Sequence, residues 1–142
     1  MPYTTLIDAA GLARLVGKPG VAVVDCRFNL ADASAGRRSY LDGHIPGARY
    51  ADLNRDLSAP PGPGTGRHPL PTQAQFAATL GGLGIDNDMQ VIAYDQANGA
   101  YAARLWWMLR WVGHRAFFRH AMPASRNPIV ATTTNYCMFC KV

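Results

Sequence analysis

Residues 91–113 read VIAYDQANGAYAARLWWMLRWVG, and this stretch decides the fold. Residues 91–94 form a short apolar run with β propensity between Asp88 and Asp95. Such a run predicts a strand buried on both faces. Gln96 to Gly99 is then a loop, with Gly99 able to take a turn that other residues resist. From Ala100 the pattern becomes helical. Tyr101, Leu105, Leu109 and Val112 share one stripe, and Gly113 is placed to end the helix. Trp107, Met108 and Trp111 make the opposite face apolar too, so this helix is expected to be covered on both sides. A strand, a tight loop and a helix N-terminus form the usual anion-binding or nucleophile-presenting unit of α/β proteins. The loop at residues 95–99 contains no Cys, Ser or His.

The chain around this unit is 142 residues long, the size of one domain with a sizeable core. Its 49% hydrophobic content is ordinary for a globular protein, and no run has the length of a membrane span. The first residues lack the basic region and apolar run of a signal peptide, so a cytoplasmic location is expected. The net charge is +5, the acids are all Asp, and Lys occurs only at positions 18 and 141. The basic residues are scattered rather than gathered in a tract with aromatics, which argues against nucleic acid as a partner. Three cysteines do not suggest a disulfide framework.

In chain order, Asp8 caps a short helix whose inward side is Leu12, Leu15 and Val16. Residues 21–24 are a buried strand ending at Asp25, Cys26 and Arg27. Functional groups of parallel sheets collect at the carboxyl ends of strands, so these three face the expected working edge. Cys26 reads as a small buried residue, and Asp25 with Arg27 as an ion pair or loop anchor. Residues 28–38 are expected to be a loop, and residues 39–42 at most one helical turn. Pro46 and Gly47 mark a turn into a short strand at residues 49–53. His44 has no other ligand at metal-binding spacing, so it is expected to be a buried histidine holding that turn, with no metal site. Residues 58–71, SAPPGPGTGRHPLP, form a long loop containing His68. Thr72 to Gln75 is a capping-box signature for a helix with Phe76, Ala77 and Leu80 on one face. Strand and helix alternate throughout, which predicts an α/β fold: a doubly wound parallel sheet with helices on both faces. After His114 the pattern breaks, and Cys137 with Cys140 lacks the second ligand pair that a zinc site needs.

With these residues in view, the chain resembles the N-terminal, non-catalytic domain of two-domain rhodanese-family sulfurtransferases, the thiosulfate and 3-mercaptopyruvate enzymes. The resemblance rests on VDCR at residues 24–27, GHIPGA at 43–48, HPLP at 68–71, LGIDND at 83–88, residues 91–95, and AARLWW at 102–107 with Gly113-His114. It implies a rhodanese-like fold and transfer of a sulfane sulfur to a thiol or cyanide through a loop Cys, with no cofactor. Asp95 and Gln96 stand where that Cys would be, so the chain is expected to be inactive alone. Its expected partner is a Cys-bearing rhodanese domain or a small sulfur-donor anion, with no membrane partner. A non-catalytic binding or regulatory module is the alternative. The resemblance further implies an assisting role for His68, whose partner position is Asn54, close to Asp52. Arg27, Asp52 and Arg104 are candidates for substrate or interface contacts; Asp25, His44, Pro46 and Gly47 belong to the structural motif. Residues 1–115 are expected to form a domain truncated at its C-terminus, and residues 116–142 a divergent, poorly ordered tail from a frameshifted or interrupted gene.

Overall fold

The computed structural model describes residues 6–114, and the expectation of a divergent tail lies outside them. The elements are α1 (Ala9–Leu15), β1 (Val21–Asp25), α2 (Ala35–Asp42), β2 (Arg49–Tyr50), α3 (Gln73–Gly82), β3 (Gln90–Tyr94) and α4 (Ala100–Trp111). The strands are parallel in the order β2-β1-β3. Val23 pairs with Ile92 and Asp25 with Tyr94, so β1 and β3 end level with each other.

Strand side chains alternate between faces, and this period of two sorts the core. Ala22, Val24, Val91 and Ala93 pack with Phe76 and Leu80 of α3 and with Ala102, Leu105, Met108 and Leu109 of α4. Val23, Ile92 and Tyr94 pack on the other face with Ile7 and Leu12, at α1. Both sheet faces are thus covered by helices, as the apolar strands require. Among the described residues, no helix is long and apolar enough to cross a membrane.

The Thr72 capping box forms as expected, with reciprocal bonds between Thr72 and Gln75. Four local expectations fail. Residues 35–42 are a two-turn helix rather than a loop followed by one turn. Their sequence carries only a weak apolar stripe, and the helix is held by close approach at Gly36. A Cβ there would lie 1.9 Å from the Arg27 carbonyl oxygen. The second strand stops at Tyr50, because Asp52 turns the chain by accepting the N–H groups of Asn54 and Arg55. Met108 is fully buried and belongs to the inward face of α4, not to the face of Trp107 and Trp111. Ala77 lies on the outer side of α3, away from Phe76 and Leu80.

Gly36 gives a direct test of this packing. Gly36→Ala should destabilise the chain by about 1–3 kcal/mol, the usual cost of overpacking, because the obstacle is backbone. Gly62→Ala, with nothing within 4 Å of its added Cβ, should be neutral or slightly stabilising. Urea unfolding of both variants against the wild type measures the difference.

Candidate functional site

In a parallel sheet the strand order reverses at one point, and the crevice lies beyond the carboxyl ends of the strands there. Here the reversal falls between β1 and β3. Three segments meet at that edge: residues 26–28 after β1, residues 51–58 after β2, and residues 95–99 after β3.

The 95–99 loop is organised around one carboxylate. Asp95, only 6% exposed, accepts the N–H groups of Ala97 at 2.9 Å and Gly99 at 3.1 Å on Oδ1. Its Oδ2 accepts those of Tyr101 at 3.0 Å and Ala102 at 3.1 Å. Tyr101 and Ala102 belong to the first turn of α4, where backbone donors have no partner within the helix. Gly99 makes this wrap possible by taking φ +89° at the head of the helix. The arrangement is an anion cradle at a helix N-terminus, with the anion supplied by the chain itself. Gln96 leaves the cradle: its Nε2 donates to the Phe28 carbonyl at 2.6 Å and its Oε1 accepts the Phe28 N–H at 3.2 Å. It thereby pairs with the Phe28 backbone as a neighbouring strand would, and stitches the loops across the crevice.

The other expected residues divide into two groups. Asp25 and Arg27 form a buried pair at 2.6 Å, and Asp25 also accepts the Tyr94 hydroxyl at 2.7 Å. Arg27 further donates to the carbonyls of Gly43, at 2.7 Å, and Ser39. Tyr94 Oη in turn accepts the Ile45 N–H at 3.3 Å. This network fastens the GHIPGA turn to the sheet. It gives Arg27 the ion-pair and anchoring role expected beside Asp25. Burial and the neighbouring Asp25 charge push the Tyr94 phenol far above its ordinary range. His44, expected to be buried, is exposed; it donates Nδ1–H to the Tyr40 carbonyl at 2.7 Å and stacks on the Tyr40 ring. It braces the end of α2 from outside, since Pro46 and Gly47 carry the chain over the surface there. Asp52 is engaged by its own turn and by the Tyr50 hydroxyl. Cys26 is 1% exposed, and burial together with Asp25, Asp95 and Asp56 raises its thiol pKa well above the ordinary value. It is held as a neutral thiol, as the sequence suggests.

His68 does reach the edge. Its Nε2 bonds to Asn54 Oδ1 at 2.9 Å, so the partner is the amide and not Asp52. Its ring meets the edge of Phe28 at 6.2 Å, and Phe28 meets Tyr101 at 5.7 Å. A cavity of about 430 Å³ opens between Phe28, Leu30, Asn54, Ser58, Arg67 and His68. Partial burial and the guanidiniums of Arg104 and Arg67 hold the His68 imidazole below its ordinary pKa. Arg104, a candidate for substrate or interface contact, grips the long loop: Nε donates to the Leu57 carbonyl at 2.9 Å and Nη2 to that of His68 at 3.0 Å. The aromatic wall of Phe28 and Tyr101 was not singled out from the sequence. Its only signal is position, one residue just past β1 and one in the first turn of α4. No group of three or more metal-ligating side chains occurs among the described residues.

Asp95→Ala leaves four N–H groups without their charged acceptor. A hydrogen bond to a charged group contributes about 1.5–3 kcal/mol, so the variant should lose at least about 3 kcal/mol. Asp95→Asn keeps the shape and one good acceptor and should lose less. Equilibrium unfolding of the two variants checks the order and the size.

This geometry agrees with what the chain resembles. Residues 8–120 match the family model described as Rhodanese-like domain. Over 116 residues the chain is 51% identical to a Pseudomonas aeruginosa protein named "Probable 3-mercaptopyruvate sulfurtransferase", covering 81% of this chain and 41% of that protein. It is 38% identical to the thiosulfate sulfurtransferase of Bos taurus over 121 residues, covering 80% and 39%. The solved 3-mercaptopyruvate sulfurtransferase of Leishmania major superposes with a TM-score of 0.69 at 28% identity, covering 92% of this chain and 40% of that one. The chain thus spans about two fifths of the length of these relatives. On the matched residues and the parallel sheet, the chain belongs to the rhodanese-like domain family.

Proposed function

We propose that this chain is the non-catalytic half of a two-part sulfurtransferase, acting only with a rhodanese domain that carries the sulfur-bearing Cys. The observation that carries the reading is the occupied cradle. In the reaction that the relatives' names imply, a thiolate attacks the outer sulfur of thiosulfate. The S–S bond of the donor breaks, sulfite leaves, and a persulfide remains for transfer to cyanide or a thiol. That step needs a sulfur nucleophile held by backbone N–H groups. Here a carboxylate holds those groups, and it cannot carry a persulfide. Cys26 offers no substitute, being buried and protonated.

What the domain can contribute is a face. Phe28, Tyr101 and His68 stand together over the β1/β3 crevice. An apolar wall with one imidazole fits a partner domain whose reactive sulfur must be shielded from water. With Asn54 Oδ1 as acceptor, His68 Nε2 carries the proton and Nδ1 keeps its lone pair. A neutral imidazole in that state can accept or relay a proton as sulfur leaves mercaptopyruvate.

The chain alone, given thiosulfate and cyanide, should form no thiocyanate above background. Mixed with a separately expressed Cys-bearing domain of a close relative, it should raise that domain's turnover. His68→Ala in the mixture should lower mercaptopyruvate turnover by about 10²-fold, the scale of general acid–base assistance, and thiosulfate turnover less. Thiocyanate formed by the chain alone at an enzymatic rate would overturn the reading.

A further inference from the structure

We propose that Arg104 is the positioning residue for His68: from α4 it staples the start of the 58–71 loop to its end, so that the imidazole stands at one place over the crevice. The proposal rests on the reading of His68 as an assisting group. Its geometric part stands on the described contacts alone.

The loop has little order of its own. It carries Pro and Gly through most of its length, and its internal bonds are few: Ala59 N–H to the Pro69 carbonyl, and Gly62 with Thr65 at the tip. Such a segment samples many states unless its ends are fixed. Arg104 supplies the fixing. Its Nε donates to the Leu57 carbonyl at 2.9 Å and its Nη2 lies 3.3 Å from Ser58 Oγ, both where the loop leaves the body. The same Nη2 donates to the carbonyls of His68 at 3.0 Å and, less closely, Pro69 at 3.4 Å, where the loop returns. One planar fork therefore spans both strands of the loop neck, a task that a Lys ammonium on its single flexible stem cannot reproduce.

The acceptors matter as much as the distances. They are carbonyl and hydroxyl oxygens, and no carboxylate among the described residues forms an ion pair with Arg104. The guanidinium charge is therefore not neutralised at close range. Burial lowers the His68 pKa most, and the charges that add to it are Arg104 from α4 and Arg67 from the loop itself, both disfavouring the imidazolium. The residue that places the ring thus also biases it toward the neutral form with a free lone pair. α4 carries the 95–99 cradle at its head and Tyr101 in its first turn. Arg104, one turn on, therefore references His68 to the same rigid body as the loop where sulfur chemistry takes place in the family.

The test uses Arg104→Gln and Arg104→Lys in the chain as it stands. Limited trypsin cleavage at Arg67, read by mass spectrometry and normalised to cleavage at Arg49 in the sheet, reports the loop. NMR titration of the His68 ring reports the charge. In Arg104→Gln, cleavage at Arg67 should rise about tenfold or more relative to Arg49, and the His68 pKa should rise toward its ordinary value. In Arg104→Lys the charge is kept and the fork lost, so cleavage should stay elevated while the His68 titration returns toward the wild type. Wild-type cleavage and titration in Arg104→Gln would overturn the proposal. So would cleavage rising equally at Arg49, since Arg104 would then support the whole fold rather than the loop. In the mixed two-domain assay, Arg104→Lys should lower mercaptopyruvate turnover in the wild-type background and have no added effect in His68→Ala. Absence of any activity on mixing would count against the proposed function and leave the loop measurements to decide the role of Arg104.

Discussion

One carboxylate closes the working edge of this domain. Asp95 receives four backbone N–H groups, two from its own loop and two from the first turn of α4. The end of β3, the left-handed turn at Gly99 and the start of the helix can adopt their positions together because a negative charge sits at their centre. In a low-dielectric site such donors are costly to leave bare. Asp95 supplies the acceptor that these donors need.

The rest of the edge hangs on α4. Its head is tied to β3 through Asp95, Tyr101 in its first turn meets Phe28 beyond β1, and Arg104 holds the 58–71 loop. Gln96 closes the circuit by pairing with the Phe28 backbone. Behind this edge, Asp25, Arg27 and Tyr94 form a buried polar network that binds the GHIPGA turn to the sheet. Such a network stabilises only when all its members are satisfied, and removing one partner would strand a buried charge. Fastening accounts for the motif, and His44 lies exposed against Tyr40.

Much of the fold was legible because its signals are local. The apolar runs at residues 21–24 and 91–94, the Thr72 box and the punctuating glycines each follow from short-range physics. What escaped depended on contacts distant in sequence. α2 is specified by the fit of Gly36 against the Arg27 carbonyl, which no periodicity records. Met108 packs inward, and the pattern could not place it because α4 is apolar nearly all round. Within the site, the lack of a Cys in residues 95–99 and the pairing of His68 with Asn54 could be read from the residues. The Asp25–Arg27 pair could be read as well, from its place at the end of β1, but the loop grip of Arg104 could not, since an arginine carries the same charge whether it meets a ligand or a carbonyl.

The central claim is that the 95–99 loop is an anion cradle in which Asp95 is the anion. The most direct measurement is the thiol pKa of Asp95→Cys, with Cys137 and Cys140 replaced by Ser and the rate of iodoacetamide alkylation followed against pH. Cys26 stays silent in that experiment, being buried. The account predicts a thiolate formed well below the pKa of about 8.5 of a free thiol, because the four N–H groups and the helix N-terminus favour the anion. An ordinary thiol pKa in a folded variant would contradict it, since the N–H groups would then be holding the Asp95 side chain without forming a site for an anion in its place.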